Sequence, residues 1–203
     1  MTITLINLCI FAYLIGAIPF GLVFAKIFTS QDLRKIGSGN IGATNARRAG
    51  GWRLGLATLA CDVLKGAIPV LIASAVSPGN ENGLKEIWMA LSAISAFCGH
   101  LFPVYLKFKT GGKGVATAAG CFTIISPISL AISLIAFIIA VGISKRVSVG
   151  SLAAAGMLSI SVICLNQHLS IIGCALFISI AIIFRHKDNI KRLLDGTEPK
   201  LGK

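Results

Sequence analysis

Long apolar runs separated by short polar intervals set the pattern of this 203-residue chain. The runs predict seven helices, at about 3–25, 54–76, 87–106, 112–125, 128–144, 148–165 and 170–184. Most approach the roughly 20 apolar residues that cross a hydrocarbon core. A helix that is apolar on every face belongs in lipid or in a large interior, not at an aqueous surface. Residues 3–25 contain Gly16, Pro19 and Gly21, and no Lys or Arg precedes Lys26. The run lacks the basic n-region of a cleavable signal and is expected to be a retained first helix with its N-terminus outside. The interval 77–86, SPGNENGLKE, reads as a turn-rich outer loop.

The apolar stretch 115–143 is interrupted by Ser126-Pro127, which makes it either one kinked helix or two. Charge decides between them. With a turn at Pro127, all of the 19 Lys and Arg fall on one side except Lys65, inside a span, and Lys85. That asymmetry is what the positive-inside rule asks for. Without the turn, either Lys145 and Arg146 or the basic tail lands outside. The expectation is an all-α integral membrane protein, a single domain over 1–203 with seven spans, N-terminus outside and C-terminus cytoplasmic. Its fourth helix is short, since about 14 residues reach only roughly 21 Å.

Composition agrees: 55% of residues are hydrophobic and 13% charged, with mean hydropathy +0.86, where soluble domains carry about 25% charged residues. The formal charge of +12 fits cytoplasmic loops, anionic headgroups and an anionic substrate. No aromatic-rich basic patch of the kind nucleic acid needs is present. The six cysteines sit in or beside apolar runs and none forms CxxC, so they read as small buried hydrophobes rather than metal ligands or disulfides. No HExxH, GxSxG or zinc spacing appears, and no metal or cofactor is expected.

Chemistry concentrates in three polar stretches. The first, Gly37 to Gly51, GSGNIGATNARRAGG, combines glycines with Ser38, Asn40, Thr44, Asn45, Arg47 and Arg48. Glycines let backbone N–H groups approach a ligand, and Arg offers a planar fork matched to phosphate. The same composition also suits a plain connector. GSGNIG fits GxGxxG, but it follows a membrane-length run and lacks the strand of a dinucleotide site. The second, KFKTGGKGVAT at 107–117, is not a Walker A motif, because Gly114 follows Lys113; it still places N–H donors and an ammonium at a helix start. The third is the tail from Arg185-His186, where His186 and Asn189 share a helical face. Within the spans, Asp62 and Lys65 read as a mutually neutralised pair and His100 as a packed histidine.

Together these stretches resemble the bacterial membrane glycerol-3-phosphate acyltransferases that use acyl-phosphate as donor. The match runs through Ser38-Gly39-Asn40-Ile41-Gly42-Ala43-Thr44-Asn45, Arg48, Gly50-Gly51, Asp62, Lys65-Gly66, Gly99-His100, Phe102-Pro103 and Gly111 to Thr117. It closes with Arg185-His186, Asn189-Ile190, Arg192-Leu193, Gly196 and Glu198. Thr110 departs from the family's Phe-Lys-Gly-Gly-Lys-Gly and reads as an insertion. The resemblance implies seven spans and an inward active site. It implies acyl transfer from acyl-phosphate to the 1-hydroxyl of glycerol 3-phosphate, releasing phosphate, as the first step of phospholipid synthesis. It assigns phosphate binding to Ser38, Arg48 and Lys113, with Asn40, Thr44 and Asn45 shaping the first loop. Gly111, Gly112 and Gly114 would cradle a phosphate through their N–H groups, and His186 and Asn189 would complete the pocket. Lys113, His186 and Ser38 are the catalytic candidates. Either His186 or the phosphate of glycerol 3-phosphate would take the hydroxyl proton, the second being preferred. The expected surroundings are membrane lipids, a transient contact with the enzyme that makes acyl-phosphate, a monomeric state and a bacterial cytoplasmic membrane. A transporter or channel for a phosphorylated anion is the rival reading.

Overall fold

The computed structural model describes residues 2–79 and 83–201, all helix, turn or loop with no strand. Residues 80–82 of the expected outer loop lie outside the described residues. The chain forms two compact units, Met1–Ile124 and Ile125–Lys203.

The first unit holds α1 (Thr2–Gly16), α2 (Phe20–Thr29), α3 (Ala43–Val76), α4 (Leu84–Leu101) and α5 (Val115–Ile125). The expected first span is broken. Pro19 has no N–H and disfavours helix in the residue before it, so α1 and α2 are separate helices of one apolar segment, Ile3–Thr29. α1 packs on α4 and α3. The contact with α4 is close because Gly16 and Gly99 have no Cβ: one on Gly16 would overlap Ala96 O, and one on Gly99 would overlap Tyr13 O. Small residues are the usual means of bringing membrane helices together. α3 is longer than the expected span 54–76. Its first turns are polar, and Gly50 and Gly51, the latter at φ +76°, break it before the apolar part.

The expected fourth span, 112–125, is corrected. Gly111 to Gly114 are not helical, with Gly114 at φ +82°, and α5 has 11 residues. At 1.5 Å per residue that is roughly 16 Å, about half a hydrocarbon core.

The second unit holds α6 (Pro127–Ser144), α7 (Val147–Cys164), α8 (Leu169–Arg185) and α9 (Lys187–Leu194). The predicted break at Ser126-Pro127 is present. Pro127 starts α6, at the position where a missing N–H costs nothing. α7 packs on α6 and α8. Ser159 Oγ donates to Ser179 Oγ at 2.9 Å and Ser179 Oγ to Ala155 O at 2.6 Å, joining α7 to α8 by hydrogen bonds sheltered from lipid. Large apolar side chains of α6 point outward instead, with Ile143 82% exposed.

Among the described residues, five segments can cross a membrane by length and apolarity: Ile3–Thr29, Ala43–Val76, Leu84–Leu106, Pro127–Ser144 and Val147–Cys164. A sixth forms if α8 and α9, bent by 54°, count as one.

Candidate active site

The first polar stretch is organised by Asn45, which is 1% exposed. Its Nδ2 donates to Leu33 O, Ile36 O and Asn40 O at 2.9, 3.0 and 2.8 Å, and its Oδ1 accepts from Ser38 N at 3.2 Å. A buried amide used in this way holds the loop closed over the start of α3. Asn45 is thus a scaffold of the loop. Asn40 also works locally, its Oδ1 accepting from Gly42 N at 2.9 Å. Ser38 and Thr44 remain exposed.

Three arginines near this loop differ in what they face. Arg34 chelates Asp32, with Nε–Oδ1 at 2.9 Å and Nη2–Oδ2 at 2.7 Å. The Arg34 side-chain and backbone hydrogen bonds, with the charges of Arg34 and Lys35, hold the Asp32 carboxyl down at about 2. Arg47 lies against Gly55 and borders an open groove of about 370 Å³ lined by Ala43, Thr44, Arg47, Trp52, Gly55, Leu56 and Leu59. Arg48 turns the other way, and its Cδ and Nη1 come within 3.2 and 3.6 Å of where a Cβ on Gly37 would stand. The structure therefore brings Arg48 beside Ser38. Among the described residues Arg48 is in no ion pair.

The second stretch packs on the end of α4. A Cβ on Gly111 would overlap Leu101 O, one on Gly112 would overlap the His100 ring, and one on Gly114 would overlap Phe97. No other residue type fits at these three positions. Gly112 N donates to His100 O at 3.1 Å. That corrects one expectation: the Gly112 N–H is turned toward α4 and is not a cradle donor. Lys113 is half-buried between two buried glycines, directly before α5. Upstream of this loop Lys107, Phe108 and Thr110 all have positive φ, at +53°, +61° and +55°. A left-handed β-branched residue is an outlier. The turn before the glycines carries the strain.

In the second unit His186 and Asn189 are both buried. His186 ends α8, its N donating to Ile182 O and Ile183 O at 3.1 and 3.0 Å, while its Nδ1–H donates to Ile182 O at 2.8 Å. That bond requires a proton on Nδ1. Asn189 Nδ2 donates to Glu198 Oε1 at 2.7 Å, and Arg192 Nε to Glu198 Oε2 at 2.8 Å. Burial pushes the Glu198 carboxyl up, but hydrogen bonds from Ser148, Asn189 and Arg192 and the Arg192 charge outweigh it and hold it low. Arg146 Nε reaches Glu198 O at 3.2 Å. The basic tail is therefore folded back on its own unit, around an acid that sequence reasoning gave no role. The signal was available, since Glu198 is one of only seven acidic residues and sits among Arg192, Lys191 and Lys200.

The polar groups within the spans also converge. Lys65 Nζ lies 2.7 Å from Asp62 Oδ1, both side chains almost fully buried, and donates to Ile18 O at 2.9 Å. His100 Nδ1 is 3.8 Å from the same Asp62 oxygen.

The family model described as glycerol-3-phosphate acyltransferase matches residues 6–196. The chain is 48% identical over 187 residues to the glycerol-3-phosphate acyltransferase of Desulfotalea psychrophila, covering 92% of this chain and 93% of that one. It is 46% identical to that of Syntrophotalea carbinolica, covering 92% of each. Its fold is similar to the crystal structure of PlsY (YgiH), an integral membrane glycerol 3-phosphate acyltransferase, in the glycerol 3-phosphate form. The TM-score is 0.91 and the identity 37%, over 98% of this chain and 96% of that one. By sequence along nearly its whole length and by fold, the chain is a membrane protein that belongs to the glycerol-3-phosphate acyltransferase family.

Proposed function

We propose that the protein transfers a fatty acyl group from acyl-phosphate to the 1-hydroxyl of glycerol 3-phosphate. The glycerol oxygen attacks the acyl carbonyl carbon, the bond from that carbon to the phosphate oxygen breaks, and 1-acyl-glycerol 3-phosphate and inorganic phosphate form. The observation that carries this reading is the pairing of two anion-binding elements in one unit. One is Ser38 beside Arg48; the other is the Gly111–Gly114 loop with Lys113 at the N-terminus of α5. Arg and Lys give charge-assisted bonds to phosphate oxygens, and a helix N-terminus adds its dipole. His186 and Asn189 are the remaining members of the proposed phosphate set, and Thr44 and Asn40 stand at the edge of the first loop.

Acyl-phosphate is already activated, so orientation and charge neutralisation supply most of the acceleration. The hydroxyl proton goes to the phosphate of glycerol 3-phosphate. In support, the His186 ring is buried. The groove beside Arg47 and Leu56 suits an acyl chain arriving sideways from the inner leaflet.

The same reading carries seven spans in one membrane domain, with α5 and α8 as the two shorter ones, the N-terminus outside and the C-terminus in the cytoplasm. The site faces the cytoplasm in a bacterial inner membrane, the protein works as a monomer, and acyl-phosphate arrives by transient contact with the enzyme that makes it.

The test is to supply purified protein in lipid with labelled glycerol 3-phosphate and palmitoyl-phosphate. Label is expected in lysophosphatidate, with one phosphate released per product. Absence of product, with uptake of labelled glycerol 3-phosphate into proteoliposomes, would replace the enzyme with a transporter.

A further inference from the structure

A carboxylate, an ammonium and an imidazole are buried together in the first unit, at 3%, 2% and 4% exposure for Asp62, Lys65 and His100. Burying charge is costly unless each group is paired and hydrogen-bonded. Membrane helices seldom carry such groups without a use for them. The surroundings point to the use. On one side Lys65 binds Ile18 O, a carbonyl in the break between α1 and α2. On the other side His100 carries the glycine loop twice, through its carbonyl to Gly112 N and through its ring against the Gly112 Cα. The same stretch of α3 meets the helix that follows the loop: Cβ atoms on Gly66 and Gly120 would overlap Thr117 O and Val63 O. Cys121 Sγ lies 3.6 Å from Gly66 O. The loop is thus seated on a platform that holds the Asp62–Lys65 pair.

We infer that Asp62, held by Lys65, sets the position of the His100 imidazole, and that His100 in turn sets the Gly111–Gly114 loop for phosphate. Asp62 and His100 are positioning residues that act through Gly112 and Lys113. This rests on the proposed phosphate role of that loop. A misplacement of about 1 Å at such a distance from the chemistry can cost a hundredfold in rate.

The test uses the whole protein in detergent, with palmitoyl-phosphate and glycerol 3-phosphate. His100→Ala is expected to raise KM for a phosphate-bearing substrate about tenfold, an intermediate part of that range; His100→Gln replaces it if the alanine variant does not fold. Gly112→Ala should be nearly inactive, because its methyl meets the imidazole. The double variant Gly112→Ala/His100→Ala should recover about tenfold over Gly112→Ala alone, as coupled neighbours do. A double variant no better than Gly112→Ala alone, or an unchanged KM in His100→Ala, would overturn the proposal. Asp62→Asn/Lys65→Met, which leaves no lone buried charge, should raise the same KM, with no further loss when His100→Ala is added. Additive losses would remove Asp62 from the chain of positioning. Lys113→Ala in the same assay separates the two levels. Full activity there sinks the phosphate-loop reading itself, whatever His100 does.

Discussion

Arg48 and Lys113 are the residues of which most is asked. Arg34 is as near the first loop in sequence, but its guanidinium is occupied by a carboxylate that stays ionised down to about pH 2. Arg48 leans over Gly37 toward Ser38 with no such partner among the described residues. A hydrogen bond to a charged group is worth about 1.5–3 kcal/mol. Arg48→Ala and Lys113→Ala should therefore each lower kcat/KM roughly 10- to 100-fold while still inserting in the membrane and eluting as folded protein. Steady-state kinetics beside gel filtration checks both, and full activity in the pair would cancel the site. Asn45 shows where residue-level reading stops. Its place in a polar glycine-rich motif was plain, but its acceptors are three main-chain carbonyls supplied by the fold-back of 33–40. A pattern of residue types gives no hint of that.

At the scale of elements, apolar runs located the helices because lipid demands apolar surface all round and internally satisfied backbone. They did not locate the interruptions. The break at 17–19 comes from Pro19, which lies inside apolar sequence, and the late start of α5 from glycines pressed on α4. The tail was legible only as a charge signal. Its fold depends on Glu198, which binds Asn189 and Arg192 at once. Glu198→Ala strands those donors and should cost about 2 kcal/mol, visible as a lower Tm and faster proteolysis of the last residues. The sign with pH follows from a folded pKa below the ordinary glutamate value of 4.5. The stabilisation is fully present above that value and is lost as pH falls through the lower folded one. The Tm gap between wild type and Glu198→Gln should therefore hold steady at neutral pH and close on acidification. A gap that widened in acid would mean that the carboxylate is not what holds the tail.

For the whole molecule, a charge of +12 on an otherwise apolar chain suits substrates that both bear phosphate at a membrane face. Lys65 is engaged with Asp62 and Ile18 O, and His100 Nδ1 stands 3.8 Å from Asp62, an arrangement that fits the proposed support of a loop better than a path for ions. Family membership fixes the acceptor class; the donor is the sharper proposal, because the two proposed phosphate loops would serve two phosphates. The decisive measurement sets palmitoyl-phosphate against palmitoyl-coenzyme A, in parallel samples of purified protein with labelled glycerol 3-phosphate. Lysophosphatidate formed from the acyl-phosphate alone is the result expected. Lysophosphatidate formed from the thioester, with none from the acyl-phosphate, would contradict it.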